Sequence, residues 1–285
     1  MTLKQAVDSA YELFLKNDVP SPRLNAELLM MFVLGCDRAH LFAHPERRLT
    51  GEEDSRYQEV IQERARGCPT QYITGHQEFW GLDLIVSPAV LIPRPETEHV
   101  VETVLELMKM YRLGGRLRII DVGTGSGCIA LALAGELPFA EIHACDISKD
   151  ALEVAQINAA RFGLERRIEF RHSDLLSAYR GEQFDFVVSN PPYVGESEAD
   201  KVQKQVRDFE PRTAVFCGWE GMDIYKRLIP QAHVALRPGG WLAMEIGFST
   251  EEKVKALFTG WSEVQTTADL QGIPRVVAAR KAQAP

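Results

Sequence analysis

Ser189-Asn190-Pro191-Pro192-Tyr193 combines residue types that can hold a planar NH2 group. The five residues before it, Phe184-Asp185-Phe186-Val187-Val188, have the β-branched and aromatic content of a short buried strand. Asn190 precedes a proline and is therefore pushed out of the helical region into an extended conformation. Pro191 and Pro192 have fixed φ and no N–H to donate. The expected result is a stiff lip at the carboxyl end of a strand. Carbonyl oxygens line it, and an amide side chain and a phenol ring project from it. Taken alone, the same residues also fit a strand-terminating turn, because Asn-Pro often begins one.

A second set of residues lies upstream. Arg116-Leu-Arg-Ile-Ile-Asp-Val runs as an apolar strand into Gly123-Thr124-Gly125-Ser126-Gly127, and Cys128-Ile-Ala-Leu-Ala-Leu-Ala follows as a helix. Strand, glycine loop and helix form the first βα unit of a nucleotide-binding sheet. The glycine spacing is G-x-G-x-G, which differs from the dinucleotide fingerprint, and no Gly-Lys-Ser/Thr marks a phosphate loop. The next strand, Glu141-Ile-His-Ala-Cys, ends at Asp146, where a carboxylate that binds ribose hydroxyls is expected. A third strand, Arg167 to Arg171, ends at Ser173-Asp174-Leu175. Asp174 also fits a helix N-cap. Arg94 is held between Pro93 and Pro95. It suits either a surface charge in a stiff loop or a guanidinium that orients a neighbouring carboxylate or a substrate carbonyl.

Strands alternating with helices imply a parallel sheet with its ligands gathered at the carboxyl ends of the strands. Asp121 or Gly123, Asp146, Asp174 and Asn190 then share one rim. Helix 149–162 joins the second strand to the third, and helix 222–236 leads to Pro238-Gly239-Gly240 and the strand Trp241 to Gly247. A final helix and the strand Arg275–Arg280 complete the sheet, and the tail 281–285 is expected to fray. The first seventy residues read as a small helical bundle. Leu3, Ala6, Val7, Ala10, Leu13 and Phe14 recur at helical spacing. Ser21 is an N-cap with Pro22 at the first helical position, Gly35 is a stop, and Thr50 with Glu53 forms a capping box. His40 and His44 have no evident partner and read as surface or core histidines. Between bundle and sheet, Gln71 to Pro88 reads as two strands with a turn near Gly81, and Pro95 opens a helix that carries Glu96 and Glu98 in its first turn.

The chain has 285 residues, 45% hydrophobic and 25% charged, enough for one large domain and a smaller one. Forty acidic against 32 basic residues give a net charge of −8, unfavourable for gripping phosphates. The five cysteines are scattered with no C-x-x-C pair, so they read as reduced thiols of a cytosolic protein and not as a disulfide framework or metal site. No signal peptide and no apolar run long enough to span a membrane is visible.

The ordered set of glycine loop, Asp146, Asp174 and Asn-Pro-Pro-Tyr resembles the class I S-adenosylmethionine-dependent methyltransferases over roughly residues 90 to 280. That resemblance implies a Rossmann-like, seven-stranded, mostly parallel α/β sheet. It implies S-adenosyl-L-methionine as cofactor, with Gly123, Thr124, Gly125, Ser126 and Gly127 passing its methionine portion, Asp146 on the ribose, Asp174-Leu175 bordering the adenine and Asn190 also touching the cofactor. Asn190, Pro191 and Tyr193 would carry the catalysis, and Asn190, Pro191, Pro192, Tyr193 and Arg94 would meet the acceptor. Planar nitrogens of adenine, guanine and glutamine share one need: carbonyl acceptors that take both N–H bonds, while a ring such as that of Tyr193 packs on the planar face. Further segments extend the likeness to nearly the whole chain: Gln71-Tyr-Ile-Thr-Gly, Leu91-Ile-Pro-Arg-Pro-Glu-Thr-Glu, Phe209-Glu-Pro, Glu245-Ile-Gly and Gly272-Ile-Pro-Arg-Val-Val. These resemble the peptide chain release factor glutamine N5-methyltransferases. Two departures are visible: Gly247 is followed by Phe-Ser-Thr-Glu, and Trp219 interrupts the glycine-rich stretch before Asp223.

The resemblance implies a helical recognition domain (1–70), a β-hairpin linker (71–93) and a methyltransferase domain (94–285). The expected partners are class I release factors, methylated on the glutamine of their Gly-Gly-Gln motif by a cytoplasmic monomer that contacts neither nucleic acid nor membrane. A ribosomal-protein glutamine is the nearest alternative acceptor. A DNA adenine methyltransferase would want a basic face and a target-recognition domain. A non-catalytic binding module would not need both rim and lip.

Overall fold

A computed structural model describes residues 1–111, 113 and 116–283, and Ala284 and Pro285 of the expected frayed tail lie outside the described residues. The chain divides into two units, 1–76 with 203–209, and 77–202 with 210–285.

The first unit is helical. Helix Leu3–Lys16 starts with a capping box between Thr2 and Gln5, and helix Gly51–Ala65 with the expected one between Thr50 and Glu53. Ser21 does precede helix Pro22–Leu34, but its φ is +47° and its side chain makes no capping bond. The chain turns too sharply there for a β-region cap. Asn25 Nδ2 donates instead to the Pro20 and Ser21 carbonyls. A short helix, Arg38–Ala43, was not anticipated, and its Asp37 cap is its main local signal. Phe14, Leu29, Met30 and Ile61 fill the core, and the buried Tyr57 hydroxyl donates to the Ala26 carbonyl. Buried Arg64 donates to Asn25 Oδ1, the Cys68 carbonyl and Gln205 Oε1. The last bond ties in the short helix Lys204–Phe209 from far along the chain. Residues Thr70–Thr74 form one helical turn, not the expected strand, and Gly75 ends it in the left-handed region.

In the second unit, β1 (His76–Phe79) and β2 (Leu82–Ile85) make the hairpin, turned by Trp80 and Gly81, both at positive φ. Fully buried Asn158 exchanges bonds with both Ile85 backbone groups and donates to the Ser126 carbonyl. The hairpin is thereby stitched to the glycine loop. Pro93 and Pro95 stiffen the next segment. Pro95–Thr97 is a 3-10 turn, and the α-helix proper runs Glu98–Met110.

The main sheet comprises β3 (Arg118–Val122), β4 (Glu141–Asp146), β5 (Ile168–His172), β6 (Phe184–Ser189), β7 (Leu236–Glu245), β8 (Glu263–Ala268) and β9 (Pro274–Arg280). Their order is β5-β4-β3-β6-β7-β9-β8. All pairs are parallel except the two that β9 makes. β7 begins at Leu236, before Pro238-Gly239-Gly240, and its register with β6 shifts between Phe184 and Phe186. β8 is the strand that residue patterning missed. It is a half-exposed edge strand, Glu-Val-Gln-Thr-Thr-Ala, without an apolar run.

Alternate strand residues feed two cores. Ile119, Phe186, Val188, Trp241 and Ala243 pack toward helices Glu98–Met110 and Cys128–Glu136. Ile120, Val122, Val187, Leu242 and Met244 pack toward helix Asp223–Ala235. Strand order reverses its progress across the sheet between β3 and β6, and open α/β sheets bind ligands at such a switch point.

Candidate active site

The register aligns the strand ends. Asp121 pairs with Ala144 and Val188, Val122 with Cys145, and Asp146 with His172. Ser189 Oγ donates to the Val122 carbonyl at 2.6 Å, which fastens the end of β6 to the end of β3. A cavity of about 460 Å³ opens over this rim. Gly123, Thr124, Gly125, Ser126, Asp146, Asp174, Leu175, Asn190, Pro191 and Pro192 all line it. Ten of the expected site residues therefore meet in one place. Gly127, Tyr193 and Arg94 do not line it.

The glycine loop is held by its own backbone. The Gly123 and Thr124 N–H groups donate to the Cys145 carbonyl, and Gly127 N–H to the Thr124 carbonyl. Gly123 and Gly125 sit at φ +75° and +56°, and a Cβ on either would enter open space. Gly127 differs. Its Cβ would lie 3.2 Å from Ala155 Cβ and 3.3 Å from Leu131 Cδ1, so this glycine serves helix packing. Behind the loop, Asp121 is buried and accepts from Thr124 Oγ1 at 2.6 Å, and burial pushes its carboxyl up to about 7. Asp146 accepts from the Gly125 and Ser148 N–H groups at 2.9 and 2.8 Å, and burial raises it too. Each of its oxygens keeps a further lone pair for hydroxyls.

Asp174 reaches Arg227 at 2.6 Å, with both side chains about half exposed. Leu175 stands at φ +50°, a conformation rare for a branched residue and typical of functional turns. Ser126 lines the cavity, and its buried Oγ, beside the Cys128 thiol, has no conventional hydrogen-bond partner among the described residues. An orphaned hydroxyl, two open glycines at positive φ and a carboxylate with spare lone pairs fit a nucleoside carrying an amino-acid tail. Among the described residues, no group of three His, Cys, Asp or Glu is arranged to hold a metal ion. No described helix is long and apolar enough to cross a membrane.

On the lip, Asn190 Nδ2 donates to Thr97 Oγ1 at 2.9 Å, and Thr97 Oγ1 donates to Glu245 Oε2 at 2.6 Å. The Tyr193 hydroxyl donates to Glu245 Oε1 at 3.1 Å. Burial raises the Tyr193 phenol and pushes Glu245 up to about 7. The phenol thus points at Glu245, and Tyr193 is a support of the lip in this geometry. Arg94 is bonded to Glu210, whose carboxylate also takes the Ile92 N–H at 3.2 Å. Of the two roles the sequence left open for Arg94, orienting a neighbouring carboxylate is the one seen. Residue reasoning missed Thr97, Glu210 and Glu245 as parts of the site. Glu245 carried a signal, a lone charge in the apolar stretch 241–246; Thr97 carried none.

Switch-point cavity, G-x-G-x-G loop and acidic strand ends define a class I methyltransferase. Solved structures share the fold: the hMettl16 catalytic domain in complex with MAT2A 3'UTR hairpin 1 aligns with a TM-score of 0.57 at 18% identity, covering 86% of this chain and 88% of that one. The Thermus thermophilus 16S rRNA N2 G1207 methyltransferase, in complex with AdoMet and guanosine, aligns at 0.52 and 20% identity over 72% of this chain and 49% of that one. Residues 102–208 match the methyltransferase small domain, and residues 5–75 match the PrmC N-terminal domain. Over 99% of both chains the sequence is 60% identical to a release factor glutamine methyltransferase of Koribacter versatilis. It is 38% identical to that of Geobacter sulfurreducens over 98% of this chain and 96% of the other, and 41% to that of Salmonella typhimurium over 92% and 94%. The chain belongs to the release factor glutamine methyltransferase family.

Proposed function

We propose that this protein transfers the methyl group of S-adenosylmethionine to the side-chain amide nitrogen of the glutamine in the Gly-Gly-Gln motif of class I peptide chain release factors. The observation that carries the proposal is that Asn190, Pro191 and Pro192 share a cavity with the glycine loop and Asp146. Family membership supports glutamine as the acceptor. Gly123 to Ser126, Asp146 and Asp174-Leu175 would hold the cofactor, which would supply an electrophilic methyl when bound.

An amide nitrogen is a poor nucleophile because its lone pair is delocalised into the carbonyl. Asn190 Oδ1 and the Pro191 carbonyl accept its two N–H bonds, which fixes the plane of the amide and turns the nitrogen lone pair to one side. Such positioning is worth up to about 7–11 kcal/mol in favourable intramolecular reactions. The acceptor oxygens also grow stronger as positive charge develops on nitrogen. The cationic amide is very acidic and loses its proton to water, so no separate base is required. Tyr193 supports the lip through Glu245, and Arg94 holds the segment before Pro95 through Glu210. Residues 1–70 act as the recognition domain for the protein substrate, 71–93 as the linker and 94–285 as the methyltransferase domain. The reading places the protein in the cytoplasm, as a monomer, without direct nucleic-acid contact.

The test is mass spectrometry of a release factor incubated with the protein and S-adenosylmethionine. One added methyl, located on the Gly-Gly-Gln glutamine, is the expected result. Label that enters a ribosomal protein or duplex DNA and leaves the release factor unmodified would overturn the proposal.

A further inference from the structure

Glu245 is the lone charge in the apolar stretch 241–246, and its side chain is 3% exposed. It accepts two hydroxyl hydrogens, from Thr97 at 2.6 Å and Tyr193 at 3.1 Å. Thr97 is equally enclosed, and Asn190 Nδ2 lies 2.9 Å from its Oγ1. A threonine hydroxyl owns one hydrogen. With that hydrogen committed to the carboxylate, Thr97 can offer Asn190 only a lone pair. Only the NH2 end of the Asn190 amide satisfies a lone pair. If the amide turned over, two acceptor oxygens would face each other in a buried site, which is costly.

We infer that Glu245, acting through the Thr97 hydroxyl, is a positioning residue that forces the oxygen end of the Asn190 amide toward the cavity. The inference rests on the methyl-transfer reading above and deepens it. An amide donor reaching the lip needs an acceptor there. Without the relay, Asn190 is as free to present its NH2 group, donor against donor. Glu245 therefore acts at a distance from the substrate, by removing one of two nearly isosteric states.

The charge state of Glu245 is part of the device. Its surroundings include the Thr97 and Tyr193 hydroxyls, the Tyr225 hydroxyl on its backbone carbonyl, the Cys128 thiol, the Glu96 carboxylate and the Arg275 guanidinium. Glu96 raises it, Arg275 lowers it, and burial, the largest influence, raises it. Once protonated, the carboxyl has a hydrogen of its own to place. When that hydrogen points at Thr97, the threonine can donate to Asn190 and the orientation reverses.

Three variants test this: Thr97→Val, Thr97→Ser and Glu245→Gln. Valine keeps the shape and removes the relay, so kcat should fall by about 10²-fold, the scale of a misplaced group at a reacting centre. Serine keeps the hydroxyl and should keep most of the rate. The affinity for S-adenosylmethionine should change little in all three. The wild-type kcat should decline as pH falls through about 7, and Glu245→Gln should flatten that limb. A second readout needs no turnover: by NMR, the Asn190 side-chain NH2 protons should exchange slowly in the wild type and in Thr97→Ser, and quickly in Thr97→Val. Equal losses in the valine and serine variants, or wild-type kcat with unchanged exchange in Thr97→Val, would overturn the relay. The exchange measurement decides the relay even where the release factor proves not to be the acceptor.

Discussion

Replacing Asn190 by alanine removes the side-chain acceptor from the lip and leaves Pro191 and Pro192 in place. The proposed role of Asn190 separates two losses. The first is one hydrogen bond to an N–H that gains positive charge during transfer, worth about 1.5–3 kcal/mol when charge-assisted. The second is orientation: with one of two acceptors gone the amide can swing, and a misplacement near 1 Å costs about 10²-fold, or roughly 2.7 kcal/mol. Together they give about 4–6 kcal/mol, a fall of about 10³- to 10⁴-fold in single-turnover rate. Cofactor binding should stay within several-fold, because the glycine loop and Asp146 are untouched. The assay is a rapid-quench single turnover with labelled S-adenosylmethionine and a release factor, paired with calorimetric cofactor binding. A loss smaller than about tenfold, at intact cofactor affinity, would refute the assignment of Asn190, since even one preorganised hydrogen-bonding group at a reacting centre is worth about 10²–10³.

The two kinds of glycine in the loop should separate in experiment. Gly127→Ala meets Ala155 and Leu131 and should lower the melting temperature by several degrees, for a cost of about 1–3 kcal/mol. Gly125→Ala carries the backbone strain of φ +56° but meets nothing within 4 Å, so beyond the strain it shares with Gly127→Ala its effect should fall on cofactor binding, as calorimetry would show. Arg94→Ala leaves the buried Glu210 carboxylate without its cation, so it should destabilise by about 1–3 kcal/mol, less than a fully buried pair because Arg94 is partly exposed. A change in release-factor KM with an unchanged melting temperature would instead favour a direct substrate contact for Arg94. Asp121 is raised from 3.8 to about 7, so between those values the folded protein holds a proton that the unfolded chain releases. Stability should therefore fall as pH rises through that window, and the loss should be complete above about 7. Asp121→Asn should reduce the slope of melting temperature against pH over that range; an unaltered slope would remove Asp121 as its source.

The parallel core of the sheet was legible because each strand is a short apolar run that ends in a residue with chemistry: Val122 into Gly123, Cys145 into Asp146, Val188 into Asn190. Register then turns sequence order into one rim. The hairpin announced itself by Gly81, and the capping box of Thr50 and Glu53 by spacing alone. What stayed hidden depends on distance along the chain. Thr97 and Glu245 are separated by 148 positions, and nothing local to Thr97 distinguishes it from a helix-start threonine. Arg64 and Gln205 are 141 positions apart, so the attachment of helix Lys204–Phe209 to the first unit was unreadable. β8 was missed for another reason: an edge strand needs no apolar face of its own kind, and Glu263 to Ala268 shows none.

The two prolines of the lip have a consequence for when the reaction stops. In the proposed assignment two oxygens, Asn190 Oδ1 and the Pro191 carbonyl, would match the two N–H bonds of a primary amide. The product, a secondary amide, has a single N–H, and its methyl group would have to lie against an oxygen that expects a hydrogen. A deamidated side chain fares worse, since it would bring only lone pairs to a surface made of lone pairs. Neither proline can turn round and donate, because neither has an N–H. On that assignment the lip would count hydrogens: it would accept a nitrogen with two, release one that has been used, and turn away an oxygen in its place.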